Sequence, residues 1–487
     1  MTSKVTINRL STGVPGLDDL LGGGLPEFSF NLIAGQPGCG KTTLAHQIMF
    51  ALATEERPAL YFTVLGEPPL KMLRYQQQFS FFDPAAINRS VRFINLCEEA
   101  MAGDLEHVLA RIAQEVAAHE PSLVFVDSFR SVVLATDAGG QAHNQLQRFM
   151  QQLGMLMTSW QATTFLIGEY FTDTDANPVF TVADGLIWMR QSVQRNAMVR
   201  KMEIMKMRGQ PSLPGLHSFR ISGNGLQIFV PALETPTLPG APTGSRASMG
   251  VPGLDEMMDG GLPRGYSLLL AGPSGSGKSI LAAAFLNAGL LNGETAVIAA
   301  FERRPRRVRD QTLAKAIEDG RLGVVESHAP DLSIDEVTQL LSAEIRRLDA
   351  RRVVIDSLSG FELALGPSFK DDFRESLLRL VTSLTAMGVT VLMTSELEDR
   401  YTDLRFSPYG TAFMTDAIIV QRYIEVDSRL RRVLAVVKVR DSAHSDQLRE
   451  YSIDDDGIRI GAMLAAHEGL LGGRPTTRPP GGPAREG

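Results

Sequence analysis

One short pattern occurs twice in this chain. Gly13-Val14-Pro15-Gly16-Leu17-Asp18, followed by Gly23-Gly24-Leu25-Pro26, returns as Gly250-Val251-Pro252-Gly253-Leu254-Asp255 with Gly260-Gly261-Leu262-Pro263, an offset of 237 positions. The same offset carries Gly35 to Gly272 and Lys41 to Lys278. A repeat of this period is the signature of a duplicated domain rather than a solenoid, and 487 residues exceed what one ordinary core holds. The expected organisation is a first domain over 1–230, a linker over 231–247, a second domain over 248–461 and a largely flexible tail over 462–487. The linker reading rests on Pro231, Pro236, Pro239 and Pro242 alternating with Gly, Thr and Ser, a composition with little apolar surface to bury.

Within each half, short apolar runs alternate with helical patterns. Residues 28–34 read as a strand ending at a glycine loop, 43–52 as a helix and 59–65 as a second strand. Leu105, Val108, Leu109, Ile112 and Val116 recur at helical spacing ahead of the run 123–126, which ends in Asp127. Val337, Leu340, Leu341 and Leu348 do the same ahead of 353–355 and Asp356. Alternation of this kind predicts an α/β fold with a mostly parallel sheet covered by helices on both faces.

Each half also carries one glycine loop of a special kind. Gly35-Gln36-Pro37-Gly38-Cys39-Gly40-Lys41-Thr42 and Gly272-Pro273-Ser274-Gly275-Ser276-Gly277-Lys278-Ser279 both fit G-x-x-x-x-G-K-[ST], between a strand and a helix. The glycines let successive backbone N–H groups converge on an anion, and the following helix, opening at Thr43 in the first half, adds its positive end. Lys41 and Lys278 neutralise the outer phosphates, and the Thr42 and Ser279 hydroxyls hold magnesium. Asp127 and Asp356, each ending a buried strand and each followed by serine, sit where a carboxylate orders the metal's water shell. The expectation is two tandem RecA-like P-loop domains, both binding Mg-ATP.

Composition narrows the remaining classes. A hydrophobic share of 44% and a charged share of 21% belong to a globular chain. No apolar run reaches the roughly 18 residues that span a bilayer, and the first ten residues lack a secretory h-region, so a cytoplasmic protein without membrane partner is expected. Cys39 and Cys97 alone support neither a disulfide framework nor a zinc site. A net charge of -7 weighs against sequence-independent nucleic-acid binding.

The two loops, the V-P-G-L-D repeats and the Asp-Ser strand ends together resemble the KaiC family of two-domain RecA-like ATPases, over residues 9–460. The resemblance implies a homo-oligomer, a ring-shaped hexamer with ATP between neighbouring subunits, and a regulatory protein partner. In that family a Lys-x-Arg-Gly segment reaches the neighbour's nucleotide. Lys206-Met207-Arg208-Gly209 matches it, and Lys438-Val439-Arg440-Asp441 matches it less fully, so for Lys438 and Arg440 a solvated basic strand end stands as an equal reading.

Relatives place two adjacent glutamates after the second strand to orient the attacking group. Here the first half retains only Glu67, shifted by one residue. The second half retains Glu302, which the resemblance also places near the metal, beside Arg303, a neighbour that lowers its basicity. The Ser-Thr pair that clock proteins phosphorylate aligns with Ala412-Phe413, ahead of Thr415-Asp416-Ala417-Ile418-Ile419, so clock-type autophosphorylation is not expected, although Ser407 and Thr415 retain hydroxyls. Glu169 and Glu396 end strands where RecA-like folds sense the terminal phosphate, and they fit equally well as carboxylates satisfied by turn amides.

The leading functional reading is an oligomeric, nucleotide-switched ATPase with residual serine/threonine kinase activity as an open extension. A RecA-type DNA motor is the alternative suggested by Arg303, Arg304, Arg306, Arg307 and Arg309 and by Arg429, Arg431 and Arg432. A scaffold that binds ATP without turning it over is the third reading.

Overall fold

The buried strand at the centre of the first half shows why both faces of its sheet must be covered. Along Phe30–Gly35, Ile33 belongs to one apolar cluster and Leu32 and Ala34 to another, with all three fully buried. Successive side chains point to opposite faces, so an unbroken apolar run requires a helical layer on each side. The P-loop helix Lys41–Leu52 fills one face through Leu44, Ala45, Ile48 and Met49. Leu105–His119 and Ala142–Ser159 fill the other through Val108, Ile112, Val116, Phe149, Leu153 and Met157. A computed structural model gives this architecture, describing residues 7–64, 69–101, 105–127, 142–170, 178–194, 197–230, 244–301, 310–326, 333–364, 373–397, 414–426, 428–463, 467–468 and 476–477.

The chain divides into two units, Met1–Val230 and Pro231–Gly487, each built on a nine-stranded sheet. In the first, the order across the sheet is Val91–Asn95, Ala59–Thr63, Leu123–Asp127, Thr163–Glu169, Phe30–Gly35 and Gly185–Gln194, all parallel. Ala197–Met207, His217–Ser222 and Gly225–Phe229 then extend it antiparallel. The second unit repeats this order: Leu322–Glu326, Ala296–Ala300, Arg352–Asp356, Thr390–Glu396, Ser267–Gly272 and Ala417–Val426 in parallel, then Arg429–Val439, Arg449–Asp454 and Gly457–Met463 antiparallel. These are two RecA-like α/β domains. Beyond them, His467–Glu468 pairs with Thr476–Thr477.

The repeated V-P-G-L-D segment has a structural task. Asp18 accepts from the Ser11 hydroxyl at 2.6 Å and the Thr12 amide at 2.9 Å, and Asp255 accepts from the Ser248 hydroxyl at 2.6 Å and the Met249 amide at 2.7 Å. In both halves the aspartate staples the entering chain to a short helix beside the sheet.

Two details depart from the sequence reading. Phe28 lies outside the strand, in left-handed backbone at φ 63° and 45% exposed, because the chain turns there before entering the sheet. Leu340 is 40% exposed, and the buried stripe of its helix runs through Val337, Leu341 and Ile345 instead.

The first core is aromatic around the P-loop helix. His46 is fully buried, its ring 4.6 Å from Tyr61 and 5.9 Å from Phe93, and among the described residues neither ring nitrogen has a hydrogen-bond partner of good geometry, although the Gln76 side chain acts on the ring. Burial lowers its pKa to about 4, with Gln76 opposing only in part. The folded unit therefore holds His46 neutral while the unfolded chain protonates it near pH 6.5. Its contribution is complete above that pH and is lost as pH falls toward 4, at about 1.4 kcal/mol per unit. Urea unfolding of the first unit at pH 7 and pH 5 should show a smaller loss of stability in His46→Phe than in the parent.

Candidate functional site

In both P-loops glycines hold the backbone in left-handed turns. Gly38 and Gly275 crest the loops at φ 77° and 79°, and Gly40 and Gly277 enter the helices at φ 105° and 99°, values that side-chain-bearing residues rarely adopt. A Cβ on Gly40 would lie 2.5 Å from Ile221 Cδ1, and one on Gly277 would lie 2.6 Å from Ile453 Cδ1. The antiparallel extension thus presses directly on each loop. Neither P-loop helix has a side-chain cap at its N-terminus, whereas Asp310 caps Gln311–Glu318 and Ser333 caps Ile334–Leu348. The first N–H groups of the P-loop helices are left for an anion.

The loop lysines fold back over this cradle. Lys41 Nζ donates to the Gly35 and Gln36 carbonyls at 3.0 and 2.8 Å, and Lys278 Nζ donates to those of Gly272 and Pro273 at 2.8 Å each. Pro37, Gly38, Ser274 and Gly275 lie exposed at the crests, while Cys39 and Ser276 point into the protein. Cys39 is a core residue whose thiol pKa burial raises. Thr43 and Ser279 lie half-buried in the first turns of the helices.

Parallel strands bring the carboxylates to the same edge as the loops. Asp127 Oδ2 accepts from Thr42 Oγ1 at 2.8 Å and from the Tyr61 hydroxyl at 2.7 Å. Burial raises the Asp127 pKa, against the hydrogen bonds from Tyr61 and Thr42 and the charge of Lys41. The buried Tyr61 phenol is pushed well up, which keeps it a donor. In the second unit Asp356 Oδ1 accepts from Thr394 Oγ1 at 2.5 Å. Glu169 pairs with Gly35 across the sheet, and Glu396 pairs with Gly272.

Among the described residues no three His, Cys, Asp or Glu side chains converge as a metal cage. A hydroxyl bonded to a carboxylate beside a phosphate loop is instead a donor set of the kind that magnesium uses, one or two hard oxygens with the rest from water and phosphates. Thr42 and Asp127 fit that ion. Glu67 and Glu302 lie outside the described residues, as do Ser407, Ala412, Phe413 and Arg303 to Arg309.

Lys206 and Arg208 lie at the other end of the sheet. Lys206 pairs with Leu186, whose own neighbour is Leu32, and the Arg208 amide donates to the Asp184 carbonyl beside Phe30. Phe30 and Gly35 are five residue steps apart, roughly 16 Å of strand. Lys206 Nζ caps the carbonyls of Phe180, Thr181 and Ala183; burial and the neighbouring Arg208 charge lower its pKa against the opposing charge of Asp184, with which Arg208 pairs at 3.0 Å.

The second unit repeats this geometry. Lys438 Nζ donates to the Thr415 carbonyl at 2.5 Å, and Arg440 pairs with Asp416 at 3.5 Å. In both units a register shift falls just before the lysine, at Leu186/Ile187 and at Ile418/Ile419. A bulge there re-aims the side chains that follow it. Lys438 and Arg440 are thus placed as Lys206 and Arg208 are.

Sequence reading missed several members of these sites. Gln191 Nε2 donates to the Pro37 carbonyl at 2.7 Å, Ser276 Oγ donates to Gln421 Oε1 at 2.9 Å, and the buried Tyr451 hydroxyl donates to the Ser276 carbonyl at 2.6 Å. Gln191, Gln421 and Tyr451 all lie on the far side of the sheet from the strand-end aspartates, at positions that no motif marks. Two members of the second arginine group are engaged within the chain: Arg431 pairs with Glu450 at 3.1 Å and Arg432 lies over the Tyr423 ring at 5.7 Å. Thr415 is 1% exposed and presents no surface hydroxyl. Among the described residues no helix is long and apolar enough to cross a membrane.

The family model described as "ATPase: KaiC" matches twice, over residues 10–232 and 247–465. The chain is also similar to proteins named circadian clock oscillator protein KaiC. That of Parathermosynechococcus lividus is 26% identical, covering 96% of this chain and 88% of the relative. That of Rippkaea orientalis is 26% identical over 96% and 92%, and KaiC 1 of a Synechocystis strain is 26% identical over the same shares.

The Tyr451 bond can be tested directly. Tyr451→Phe keeps the ring and removes one buried donor from the second loop, which should cost the second unit about 1 kcal/mol, or roughly 2–4 °C in its melting midpoint by calorimetry.

Proposed function

The chain belongs to the KaiC family of ATPases, and from that premise we propose that it is a ring-forming homo-oligomer, a hexamer, that binds Mg-ATP in both domains between neighbouring subunits and acts as a nucleotide-dependent regulatory switch. One observation carries the reading. In each unit the Lys-x-Arg pair stands at the sheet edge remote from its own phosphate loop, so the cations serve a nucleotide only if it belongs to another subunit. The equal placement of Lys438 and Arg440 supports the same role in the second domain over that of a solvated strand end.

On ATP binding, Lys41 and Lys278 exchange loop carbonyls for phosphate oxygens, and the helix N-termini and loop amides hold the phosphate chain. Thr42 and Asp127 in the first domain, and Ser279 and Asp356 in the second, would hold magnesium, which would supply neutralisation of charge on the outer phosphates. Lys206, Arg208, Lys438 and Arg440 of each subunit stabilise charge developing on the neighbour's transferring phosphoryl group. Glu302, and less directly Glu67, orients the attacking water. Arg303 next to Glu302 lowers its basicity and makes turnover slow.

Ala412-Phe413 supplies no hydroxyl where clock proteins are phosphorylated, and Thr415 is buried, so the chain works by binding and hydrolysis without clock-type autophosphorylation. A regulatory protein partner reads the nucleotide state.

The trans arrangement predicts complementation. Chains with Lys41→Ala lack a working first loop, and chains with Lys206→Ala and Arg208→Ala lack the cations offered to a neighbour. Each alone should lose first-site phosphate release by about a thousandfold or more, the scale of an arginine presented in trans. Mixing and reassembling the two should restore part of it, because some interfaces then pair an intact loop with intact cations. Rings that reassemble without recovering activity contradict the arrangement.

A further inference from the structure

Tyr61 stands two residues before the end of its strand and is fully buried. Its ring is boxed in by His46 at 4.6 Å, Phe93 at 5.3 Å and Phe125 at 5.9 Å. Packing of this kind would be met by phenylalanine. A hydroxyl added there costs desolvation unless it is paired. It is paired with Asp127 Oδ2 at 2.7 Å, and the Thr42 hydroxyl donates to that same oxygen at 2.8 Å. With both donors on one oxygen, the carboxylate cannot rotate without breaking two bonds at once.

The second unit lacks this device. Ala59 pairs with Leu123 and Ala296 pairs with Arg352 at the starts of the matching strands, so the position of Tyr61 is taken by Ile298, which has no donor. Asp356 is held instead by the Thr394 hydroxyl, from the neighbouring strand Thr390–Glu396.

We propose that Tyr61 is a positioning residue of the first nucleotide site: its phenol fixes the Asp127 carboxylate so that the metal's water shell meets a preset acceptor, making magnesium-dependent retention of ATP in the first domain depend on a hydroxyl that the second domain does without. This rests on the reading that the first site takes Mg-ATP. A freed carboxylate must be reordered each time the metal binds, which weakens metal binding without touching the loop amides and Lys41 that hold the phosphates.

The test uses the full chain carrying Lys278→Ala, so that only the first site reports, with and without Tyr61→Phe. Affinity for a fluorescent ATP analogue is measured in chelator and across a magnesium titration. The expected result is affinity in chelator preserved within about twofold and a half-saturating magnesium concentration raised roughly tenfold, the scale of one hydrogen bond to an ionised group. Superimposed titrations, a shift toward lower magnesium, or an equal loss with and without magnesium would each overturn the inference, the last by showing a packing role only.

An Asp127→Asn background supplies a second arm, in which Tyr61→Phe should change the magnesium dependence no further. An additive change there also overturns it. If the Lys278→Ala parent binds nucleotide with no magnesium dependence, the Mg-ATP reading of the first site fails instead, and a difference between the two chains is not the quantity at issue.

Discussion

Six strands running in one direction set the chemistry of each half. Parallel alignment sends every C-terminal strand end to one edge of the sheet, and Gly35, Asp127 and Glu169 meet there because their strands have no other way to lie. The antiparallel strand that follows runs back, so Lys206 and Arg208 emerge at the opposite edge beside Phe30. A domain built this way carries a phosphate cradle on one edge and a cation pair on the other. On the proposed reading each cation pair serves the cradle of a neighbouring copy, which would be a heterologous interface of the kind that closes into a ring.

The two halves keep this frame and differ in what surrounds it. The first packs its P-loop helix with His46, Tyr61, Phe93 and Phe125, whereas the second uses mainly aliphatic side chains together with Phe285 and a buried arginine. Arg352 is fully buried, donates to Glu294 at 2.6 Å and to the Ser248 and Phe285 carbonyls at 2.7 Å each, and lies 4.6 Å from the Phe285 ring. Glu294 also receives Arg264, and these two arginines hold its carboxyl below the usual range in spite of burial. Such a pair fixes the start of one strand against the P-loop helix and the stapled turn. A single substitution there would leave a buried charge without its partner. The aspartates of the two sites are gripped by different donors, Tyr61 and Thr42 in the first and Thr394 in the second, so divergence reaches the strand-end carboxylates while the loops stay alike.

The loops and the repeat were legible in the sequence because they are local: glycine positions, a lysine and a strand ending in aspartate are dictated by backbone geometry over a few residues. The alternation of apolar runs likewise revealed the parallel half of each sheet. The antiparallel half was not legible, since its strands carry mixed polar and apolar residues and their partners are set by long-range pairing. Gln191, Gln421 and Tyr451 therefore entered the sites unannounced, and Tyr61 looked like any apolar-strand aromatic until its hydroxyl met Asp127. Phe28 and Leu340 misled for the opposite reason, being apolar residues that no layer covers. Glu67 and Glu302 remain proposals resting on the family resemblance, because they lie outside the described residues.

Mass measurement of the native assembly, with nucleotide stoichiometry read from the same spectra, bears most directly on a ring whose sites are completed by neighbours. With Mg-ATP the account predicts a closed homo-oligomer holding two nucleotides per chain, and dissociation when nucleotide is removed. A chain that stays monomeric while retaining nucleotide in both loops, and still releases phosphate, would contradict it.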